Sequence, residues 1–226
     1  MFHGSIEHYL QRDILRRLSY RPQLAFSDLR PAGIENGTFA YHLKQLVIDG
    51  LVHKQDDTYT LSTDGLAYVA RATRTNLDIA AQPRIFCLLI IQNDSGEYLL
   101  HRRHAQPFVG SYTFPGGALM YDESLGELVR WQLLEKVGFE IPLEHRGIAK
   151  VLYKQDGTVV LHNYHHLLYG TVTGRLDVQS KDTRFTPEWI QPDAIPKSEL
   201  MPDIPQLLDR IASEQHYFYI ELNLPA

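Results

Sequence analysis

The segment from residue 114 to residue 140, FPGGALMYDESLGELVRWQLLEKVGFE, contains residue types whose spacing could do chemistry. Residues 132, 135 and 136 are three and four positions apart, so their side chains converge on one face if the segment is helical. Three carboxylates there could hold Mg²⁺, which needs a dense set of oxygen ligands. The residues are instead Gln132, Glu135 and Lys136, whose formal charges cancel. The spacing therefore predicts no tight Mg²⁺ site, and it leaves a lysine that could pair with a phosphate group as a point charge.

The helix that must position these residues has its own start and stop signals. Ser124 and Glu127 have the spacing of a capping box, and Gly138 is typical of the left-handed residue that ends a helix. The residues expected to form its buried stripe are Leu128, Val129, Leu133 and Val137. Trp131 and Leu134 fall outside this stripe. Two large apolar side chains on an outward face indicate a covering partner or ligand.

The segments around this helix predict a mixed sheet with helices on both sides. Strands are expected at RIFCLLIIQ, EYLLHRR, IAKVLYK and VVLHNYHHLLYGTV, and a terminal helix near IPQLLDRIA. The tail HYFYIELNL alternates enough to add an edge strand or a dimer contact. The single cysteine, Cys87, lies in the first strand and is expected in the core, since it has no partner for an intrachain disulfide. Residues 84–226 are therefore expected to form one domain.

The first third of the chain predicts a smaller domain of helices and one hairpin. Apolar residues recur at helical spacing from Ile6 to Leu18, and AFSDLR predicts a short second helix. Asn36 is expected to cap a third helix that runs to Asp49, and LVHKQDDTYTLS predicts a hairpin. A further helix is expected from Asp64 to Arg74. The expected organisation is a domain at 1–75, a linker at 76–83 and the second domain at 84–226.

The outward face of the third helix carries residues that could read DNA. Gln45 could bond an adenine edge in the major groove, and Lys44 and Thr38 could touch phosphate, with Tyr41 beside them. On the hairpin, the candidate contacts to the DNA backbone are His53 and Lys54. The alternative is a solvated or protein-contacting face, because small helical domains of this kind also serve in dimerisation.

Charge gives DNA binding only weak support. The chain has a net charge of −5, and residues 1–75 hold nine Lys/Arg and eight Asp/Glu, a local charge of +1 that leaves −6 for the remainder. Nucleic-acid-binding domains usually show a stronger basic excess. No apolar run is long enough to cross a bilayer, and the N-terminus lacks the pattern of a signal peptide, so a cytoplasmic protein without membrane contact is expected.

Two resemblances organise these features. The stretch GTFAYHLKQLVIDGLVHKQDDTYTLSTDG resembles the recognition helix, wing and closing segment of ArsR- and MarR-type winged helix-turn-helix regulators. LLHRR, FPGG and the helix that ends at Gly138 resemble a Nudix domain. Together they imply an α+β chain: an N-terminal winged helix-turn-helix domain, then an α/β/α Nudix-type domain with a mixed sheet.

The Nudix signature is matched only in part. Six residues fall on its register without a gap: Gly117, Glu123, Leu133, Glu135, Gly138 and Phe139. The family has glutamates at positions 132 and 136 and an arginine at position 131, where this chain has Gln132, Lys136 and Trp131. We call the segment from Gly117 to Phe139, which carries this signature, the box. The resemblance implies that Arg102 and Arg103, on a strand facing the box, could bind ligand beside Lys136. It implies the same for Gly116 and Gly117 in the loop of the box. It leaves Glu135 and Glu123 as residual catalytic or metal-binding carboxylates.

Three functions remain open. The first is a DNA-binding transcriptional regulator, forming a homodimer to match two-fold DNA sites, whose degenerate Nudix-like domain senses a nucleotide-type or other phosphorylated ligand with no cofactor. The second is a Mg²⁺-dependent Nudix hydrolase that cleaves a nucleoside diphosphate linked to another moiety, with the first domain as an accessory or dimerisation module. The third is a protein-interaction scaffold.

Overall fold

The computed structural model describes residues 6–72, 81–213 and 216–225. The chain divides into two compact units, Met1–Ala81 and Gln82–Ala226. Residues 76–80 of the expected linker lie outside the described residues. No helix in the described part of the chain is both long and apolar enough to span a membrane.

The first unit has seven elements, which in chain order are α1 (Tyr9–Tyr20), β1 (Leu24–Ala25), α2 (Phe26–Leu29), α3 (Asn36–Ile48), β2 (Val52–Gln55), β3 (Thr58–Leu61) and α4 (Thr63–Arg71). Strands β2 and β3 form the expected hairpin, and β1 adds a third antiparallel strand, in the order β1-β3-β2. The sequence pattern did not predict β1, because two residues are too short to show a period of two.

The boundaries of two helices in this unit differ from expectation by one to three residues. Glu35, in extended conformation, is the N-cap of α3, so Asn36 is the first helical residue rather than the cap. Ser62 caps α4 by accepting a hydrogen bond from the Gly65 amide, and the helix ends at Arg71 instead of Arg74. The apolar faces of α1 and α3 are buried as predicted, in a core that includes Leu15, Phe39 and Leu46.

The second unit has ten regular elements, which are β4 (Arg84–Asn93), β5 (Tyr98–Arg103), β6 (Tyr112–Thr113), β7 (Gly116–Ala118), α5 (Leu125–Gln132), β8 (Glu144–Gln155), β9 (Thr158–Val172), β10 (Phe185–Ile190), α6 (Ile204–Ser213) and β11 (Phe218–Pro225). The eight strands form a mixed sheet in the order β10-β5-β4-β9-β8-β11, with β6 paired to β5 and β7 paired to β4. The pairs β4–β9 and β8–β11 are parallel, and the others are antiparallel. The tail is thus an edge strand.

Alternate residues of β4 serve the two faces of this sheet. Leu88 and Ile90 pack in the core that contains α6, whereas Cys87, Leu89 and Ile91 pack in the core that contains α5. Side chains alternate in this way because successive residues of a strand point to opposite faces. The second unit is therefore an α/β/α arrangement, as expected.

Strands β4 and β5 diverge soon after they meet. They pair only at Gln92 and Tyr98. Beyond this point β7 pairs with β4 and β6 pairs with β5. The divergence opens the sheet beside the loop that leads into α5.

The end of α5 departs from ordinary helical geometry. Residues Leu133–Val137 form a π-helical turn, in which the Gly138 amide donates to the Leu133 carbonyl over 2.7 Å. Gly138 has φ 91°, so it is the predicted left-handed stop. Because a π turn joins groups five positions apart rather than four, side chains after Gln132 rotate away from the positions that an α-helix would give them.

Candidate functional site

A cavity of about 550 Å³ opens where β4 and β5 diverge. Its walls include residues of β4, β5, β7, α5 and β9, together with loop residues near 106–108, 184–185 and 201–203. Small-molecule sites of proteins have volumes of this order. The cavity is therefore the candidate site of the second unit.

Three cations surround one aromatic ring in the cavity wall. Lys136 Nζ lies 4.5 Å from the centre of the Phe185 ring, and the guanidinium carbons of Arg103 and Arg184 lie 5.4 and 5.8 Å from it. We call Arg103, Lys136 and Arg184 the cationic cluster. Asp182 balances part of this charge, since both its oxygens accept hydrogen bonds from Arg184. The excess of positive charge suits an anion.

Lys136 is buried rather than solvated. Only 6% of it is exposed, and its Nζ donates to the Gly116 carbonyl over 2.7 Å and lies 3.7 Å from Asp182 Oδ2. Lys136 therefore does not belong to a solvated face of the helix. Burial lowers the pKa of Lys136, and the carboxylate of Asp182 opposes this shift. One carbonyl and one carboxylate leave the ammonium capacity for a further acceptor.

Gln132 lies one turn before Lys136 in the chain, close to Gly117. A Cβ on Gly117 would come within 2.1 Å of its Nε2 atom, so the loop approaches the helix as only glycine allows. Gln132 is buried, and its Oε1 atom has no hydrogen-bond partner. A buried polar atom without a partner is costly and indicates a missing ligand or water.

The two candidate carboxylates lie in different places. Glu123 lines the cavity, where its Oε2 accepts a hydrogen bond from the Met120 amide. Glu135 is turned outward and binds Lys181 Nζ at 2.8 Å. The expected convergence of Gln132, Glu135 and Lys136 on one face is therefore wrong, because the π turn separates Glu135 from the other two side chains.

His101 lies beside the cationic cluster. Its ring centre is 5.5 Å from that of Phe185, and its Nε2 atom has no hydrogen-bond partner. Burial and the nearby charge of Lys136 lower the pKa of His101 to about 3. The imidazole is therefore neutral at pH 7 and can donate one hydrogen bond and accept one.

A second group of polar side chains lines another part of the cavity wall. Asn163 and His165 are two residues apart on β9, and Asp203 lies just before α6. We call these three residues the polar cluster. Asp203 Oδ1 accepts a hydrogen bond from the Tyr153 hydroxyl over 2.6 Å, and Asp203 Oδ2 lies 3.6 Å from His165 Nδ1. All three are buried.

The structure brings most of the predicted ligand-binding residues to this cavity. The residues that line it are Arg103, Gly116, Gly117 and Lys136. Arg102 does not line it: this side chain is exposed and lies over the Tyr112 ring at 5.7 Å. Neighbouring residues of a strand point to opposite faces, so Arg102 and Arg103 cannot both face one ligand.

Several cavity residues were missed by sequence reasoning. Phe185 is the first residue of β10, Arg184 directly precedes it, and Asp203 comes from the loop just before α6. None of them belongs to a motif with fixed spacing. The only signal was composition, since TRF at 183–185 places a cation beside an aromatic ring.

The DNA-binding candidates of the first unit are surface residues. The exposed ones are Thr38, Tyr41 and Lys44 on α3 and His53 and Lys54 on β2, whereas Gln45 is half-buried. The opposite side of α3 is buried through Phe39, Leu43 and Leu46. The candidates on α3 therefore lie on or beside the solvent side of that helix, and the two on β2 are exposed on the hairpin.

Within residues 6–72, 81–213 and 216–225, no group of three or more His, Cys, Asp or Glu side chains could hold a metal ion. His145 and His166, which are 3.1 Å apart at their ring nitrogens, bond each other instead.

A mixed sheet with helices on both faces, opened beside a glycine-containing strand that leads toward a helix, defines an α/β/α domain with a cavity at the opening. The NUDIX domain model matches residues 81–211, more than half of the chain, and the chain therefore belongs to the NUDIX family. Residues 4–72 match a second model, described as a domain of unknown function (DUF7347).

Solved structures give the same fold. The NUDIX domain of Shewanella oneidensis NrtR, complexed with ADP ribose, is 19% identical, with a TM-score of 0.51 over 65% of this chain and 96% of that one. A NUDIX hydrolase from Nitrosomonas europaea is 20% identical, with a TM-score of 0.50 over 60% of this chain and 93% of that one. A bifunctional NMN adenylyltransferase/ADP ribose pyrophosphatase from Francisella tularensis is 16% identical, with a TM-score of 0.50, and the match covers 78% of this chain and 52% of that one.

Proposed function

We propose that this chain is a DNA-binding transcriptional regulator whose Nudix domain binds a nucleotide-type or other phosphorylated ligand without hydrolysing it. The observation that carries the proposal is the buried ammonium of Lys136 in the wall of the cavity. A fixed cation there attracts phosphate oxygens, as a metal ion does when carboxylates on the same helix bind it.

The residues around Lys136 do not fit Mg²⁺. Of the carboxylates in the box, Glu123 lines the cavity and Glu135 is turned toward Lys181. A divalent ion about 4 Å from an ammonium would be repelled by about 8 kcal/mol at an effective dielectric constant of about 20. Hydrolysis that depends on a bound Mg²⁺ therefore lacks its ligands in this domain.

The cationic cluster supports an anionic ligand. Arg103 and Arg184 lie around the same ring as Lys136, and guanidinium groups suit phosphate oxygens because they can donate two parallel hydrogen bonds. Arg103 Nε already donates to the Pro107 carbonyl, which holds the side chain in place. The cluster is thus a preformed anion site.

The first unit supports the DNA-binding half of the proposal. The order α1-β1-α2-α3-β2-β3, in which a hairpin follows three helices, resembles that of a winged helix-turn-helix domain. In this assignment α3 is the reading helix, with Gln45 toward bases and Lys44 toward phosphate, and the β2–β3 hairpin is the wing with His53 and Lys54. A homodimer would match the two-fold symmetry of such DNA sites.

The alternative function is a Mg²⁺-dependent Nudix hydrolase, and the observation that favours it is the Glu123 carboxylate at the cavity. The two functions differ in what Mg²⁺ does. We expect inorganic phosphate and ADP-ribose to bind the full chain in EDTA by isothermal titration calorimetry, and no AMP to form from ADP-ribose with Mg²⁺. Mg²⁺-dependent AMP formation that Glu123→Gln abolishes would establish the hydrolase.

Lys136→Met tests whether the buried ammonium in the cavity wall binds phosphate. It removes the charge while keeping a similar length, and we expect phosphate affinity to fall about tenfold or more, as for a lost charged hydrogen bond. Lys181→Met is the matched control, because Lys181 binds Glu135 away from the cavity. Equal affinities in the two variants would contradict the proposal.

The register of the box has a separate test. Replacing Gln132 and Lys136 together by glutamate should create Mg²⁺ affinity that the native chain lacks, since it adds two carboxylates beside Glu123. Calorimetry with MgCl₂ measures it. No gain in Mg²⁺ binding by a folded double variant would mean that positions 132 and 136 are not the metal-ligand positions of this helix.

A further inference from the structure

We propose that the cavity contains a second subsite, formed by the polar cluster, that binds a neutral ring rich in hydroxyl groups, and that the ligand is therefore a sugar carrying a single phosphate. This inference deepens the proposed function and rests on it for the phosphate end. The cationic cluster binds the phosphate, and Asn163, His165 and Asp203 bind the sugar.

The polar cluster is built into rigid elements of the sheet. Asn163 and His165 lie on one face of β9, in register with Arg84 and Phe86 on the parallel neighbour β4. Asp203 is held by the Tyr153 hydroxyl of β8. Side chains held on strands and by a buried hydrogen bond are placed more precisely than loop residues.

Unused hydrogen-bonding capacity points to a ligand at this subsite. Asn163 Oδ1 and His165 Nδ1 have no hydrogen-bond partner, although Asn163 and His165 are 5% and 4% exposed. Gln132 Oε1 and His101 Nε2, which belong to other side chains lining the same cavity, are also unpartnered. Native proteins leave few buried polar groups unpaired, so four around one cavity indicate that its contents supply the partners.

The types of these groups specify a neutral ligand with alternating donors and acceptors. Asn163 offers both a donor and an acceptor, and a neutral imidazole at His165 does the same. Asp203 offers only acceptors when ionised. Sugar hydroxyls, each a donor and an acceptor, satisfy all three kinds of group, and an apolar face of the sugar could lie against Phe86 or Phe108 in the wall.

The carboxylate of Asp203 argues against a second phosphate. A diphosphate that reached from the cationic cluster into the polar cluster would place negative charge beside a buried carboxylate, which like-charge repulsion penalises strongly at low dielectric. A single phosphate at the cationic cluster avoids this contact. The position of Asp203 therefore favours a sugar monophosphate over a diphosphate that reaches the polar cluster, although Arg84 also lines the cavity beside Asn163.

Calorimetry on the full chain in EDTA tests the subsite with defined probes. The probes are inorganic phosphate, ribose 5-phosphate, arabinose 5-phosphate, glucose 6-phosphate, fructose 6-phosphate, the corresponding free sugars and ADP-ribose. We expect at least one sugar phosphate to bind about tenfold more tightly than inorganic phosphate, as two new hydrogen bonds would give. We expect ADP-ribose to bind more weakly than that sugar phosphate.

Asn163→Ala should remove this gain and leave the affinity for inorganic phosphate unchanged within about twofold. Asn223→Ala, an exposed asparagine of the edge strand β11, is the matched control and should change neither affinity. His165→Phe, which keeps the volume of the ring, provides a second variant if Asn163→Ala does not fold. The inference is overturned if no sugar phosphate exceeds inorganic phosphate, if the gain survives both folded variants, or if ADP-ribose binds most tightly.

Failure of the proposed function gives a different pattern. If free sugars bind and lose affinity in Asn163→Ala, while phosphate adds nothing and Lys136→Met has no effect, the polar subsite stands and the anion site does not. If inorganic phosphate binds through Lys136 but sugars add nothing, the anion site stands and the sugar subsite is wrong.

Discussion

Lys136 is charged and buried at once, a combination that lysine rarely adopts without a partner. Its partners are the Gly116 carbonyl and Asp182. Burial disfavours the ammonium and lowers the pKa of Lys136, so this group loses its proton at a lower pH than an ordinary lysine does. The charge that we propose to bind phosphate is therefore sensitive to pH.

The first prediction concerns phosphate affinity in alkaline solution. At alkaline pH below the ordinary lysine pKa of about 10.4, the affinity of the native chain for inorganic phosphate should fall as Lys136 deprotonates, whereas that of Lys136→Arg should stay nearly constant because arginine keeps its charge. Stability should move in the opposite direction: a lysine with a lowered folded pKa binds fewer protons than in the unfolded chain, so unfolding free energy rises with pH in this window. Calorimetry and urea titrations measure the two trends, and parallel trends would contradict the assignment.

The second prediction concerns His101 in acid. Its pKa is lowered to about 3 in the folded chain, against 6.5 for an ordinary histidine, so the unfolded chain binds the extra proton first as pH falls. Stability from this residue is fully present above pH 6.5 and is lost toward pH 3, by up to about 1.4 kcal/mol for each pH unit. Lowered pKa values of His165 and His166 act in the same direction.

His101→Gln, which keeps hydrogen-bonding capacity without titrating, isolates the contribution of this residue. We expect urea denaturation between pH 7 and pH 4.5 to show a shallower loss of stability in this variant than in the native chain. If the loss of stability with falling pH has the same slope in the variant and the native chain, the pKa of His101 is not lowered in the folded chain.

At the scale of elements, the loop before α5 depends on two glycines for different reasons. A Cβ on Gly116 would lie 2.1 Å from the Cys87 carbonyl oxygen, which belongs to the backbone of β4. A Cβ on Gly117 would lie 2.1 Å from the end of the Gln132 side chain, which can rotate away. The backbone of a central strand cannot move in this way without breaking its pairing.

The third prediction follows from this contrast. Gly116→Ala should destabilise the second unit by about 3 kcal/mol or more, in the range of severe overpacking, whereas Gly117→Ala should cost about 1 kcal/mol. Phosphate affinity of Gly117→Ala should change because Gln132 is displaced at the cavity wall. Urea titrations of the two variants measure the difference, and equal costs would place the loop farther from β4.

The start of α5 shows how local signals predict an element. Ser124 Oγ accepts from the Glu127 amide and the Glu127 carboxylate accepts from the Ser124 amide, so the predicted capping box is confirmed. The buried residues Leu128, Leu133 and Val137 were also predicted, because their spacing alone determines which side of a helix is apolar. Chemistry within one or two turns of the chain is enough for both inferences.

The end of the same helix shows why other features were not predictable. The π turn at Leu133–Val137 leaves no pattern in residue types, and it decides that Glu135 faces Lys181 rather than the cavity. Its geometry depends on packing against distant segments; for example, the Lys181 amide donates to the Glu135 carbonyl. A contact between residues 46 positions apart in the chain cannot be read from spacing.

For the whole molecule, the division into two units and the longer helices and strands followed from periodicity and breakers in the sequence, whereas the short strands β1, β6 and β7 and the strand β10 did not. The cavity did not, because its walls come from segments between residues 84 and 203 that only the sheet brings together. Lys136 and Arg103 were predicted through the box and its facing strand, whereas Arg184 and the polar cluster required the fold.

The fourth prediction concerns the full chain on DNA. The near-neutral first unit predicts few phosphate contacts, so DNA affinity should depend only moderately on salt, with a log–log slope of about −2 to −4. Binding-site selection from random duplexes, followed by titrations between 50 and 200 mM KCl, measures it.

Matched variants assign the DNA contacts. Lys44→Ala or Lys54→Ala should each reduce the magnitude of the salt slope by about 1, whereas Gln45→Ala should relax sequence preference at one position. Arg16→Ala is the control, since its guanidinium is bound to Asp13 on α1. Failure of the selection to enrich any sequence would leave the first unit as a dimerisation or scaffold module.

Cys87 lies on the strand behind the glycine loop, in register with Gly117, and it is fully buried. Burial raises the pKa of its thiol to about 11, so almost none of it is thiolate at pH 7, and alkylating reagents can react only when this part of the sheet opens. Because the chain has one cysteine, thiol alkylation reports on the opening of β4 next to the cavity. Labelling of Cys87 by iodoacetamide therefore tests whether the cavity is occupied, without an engineered reporter. A bound molecule that closes the gap between β4 and β5 should slow this labelling.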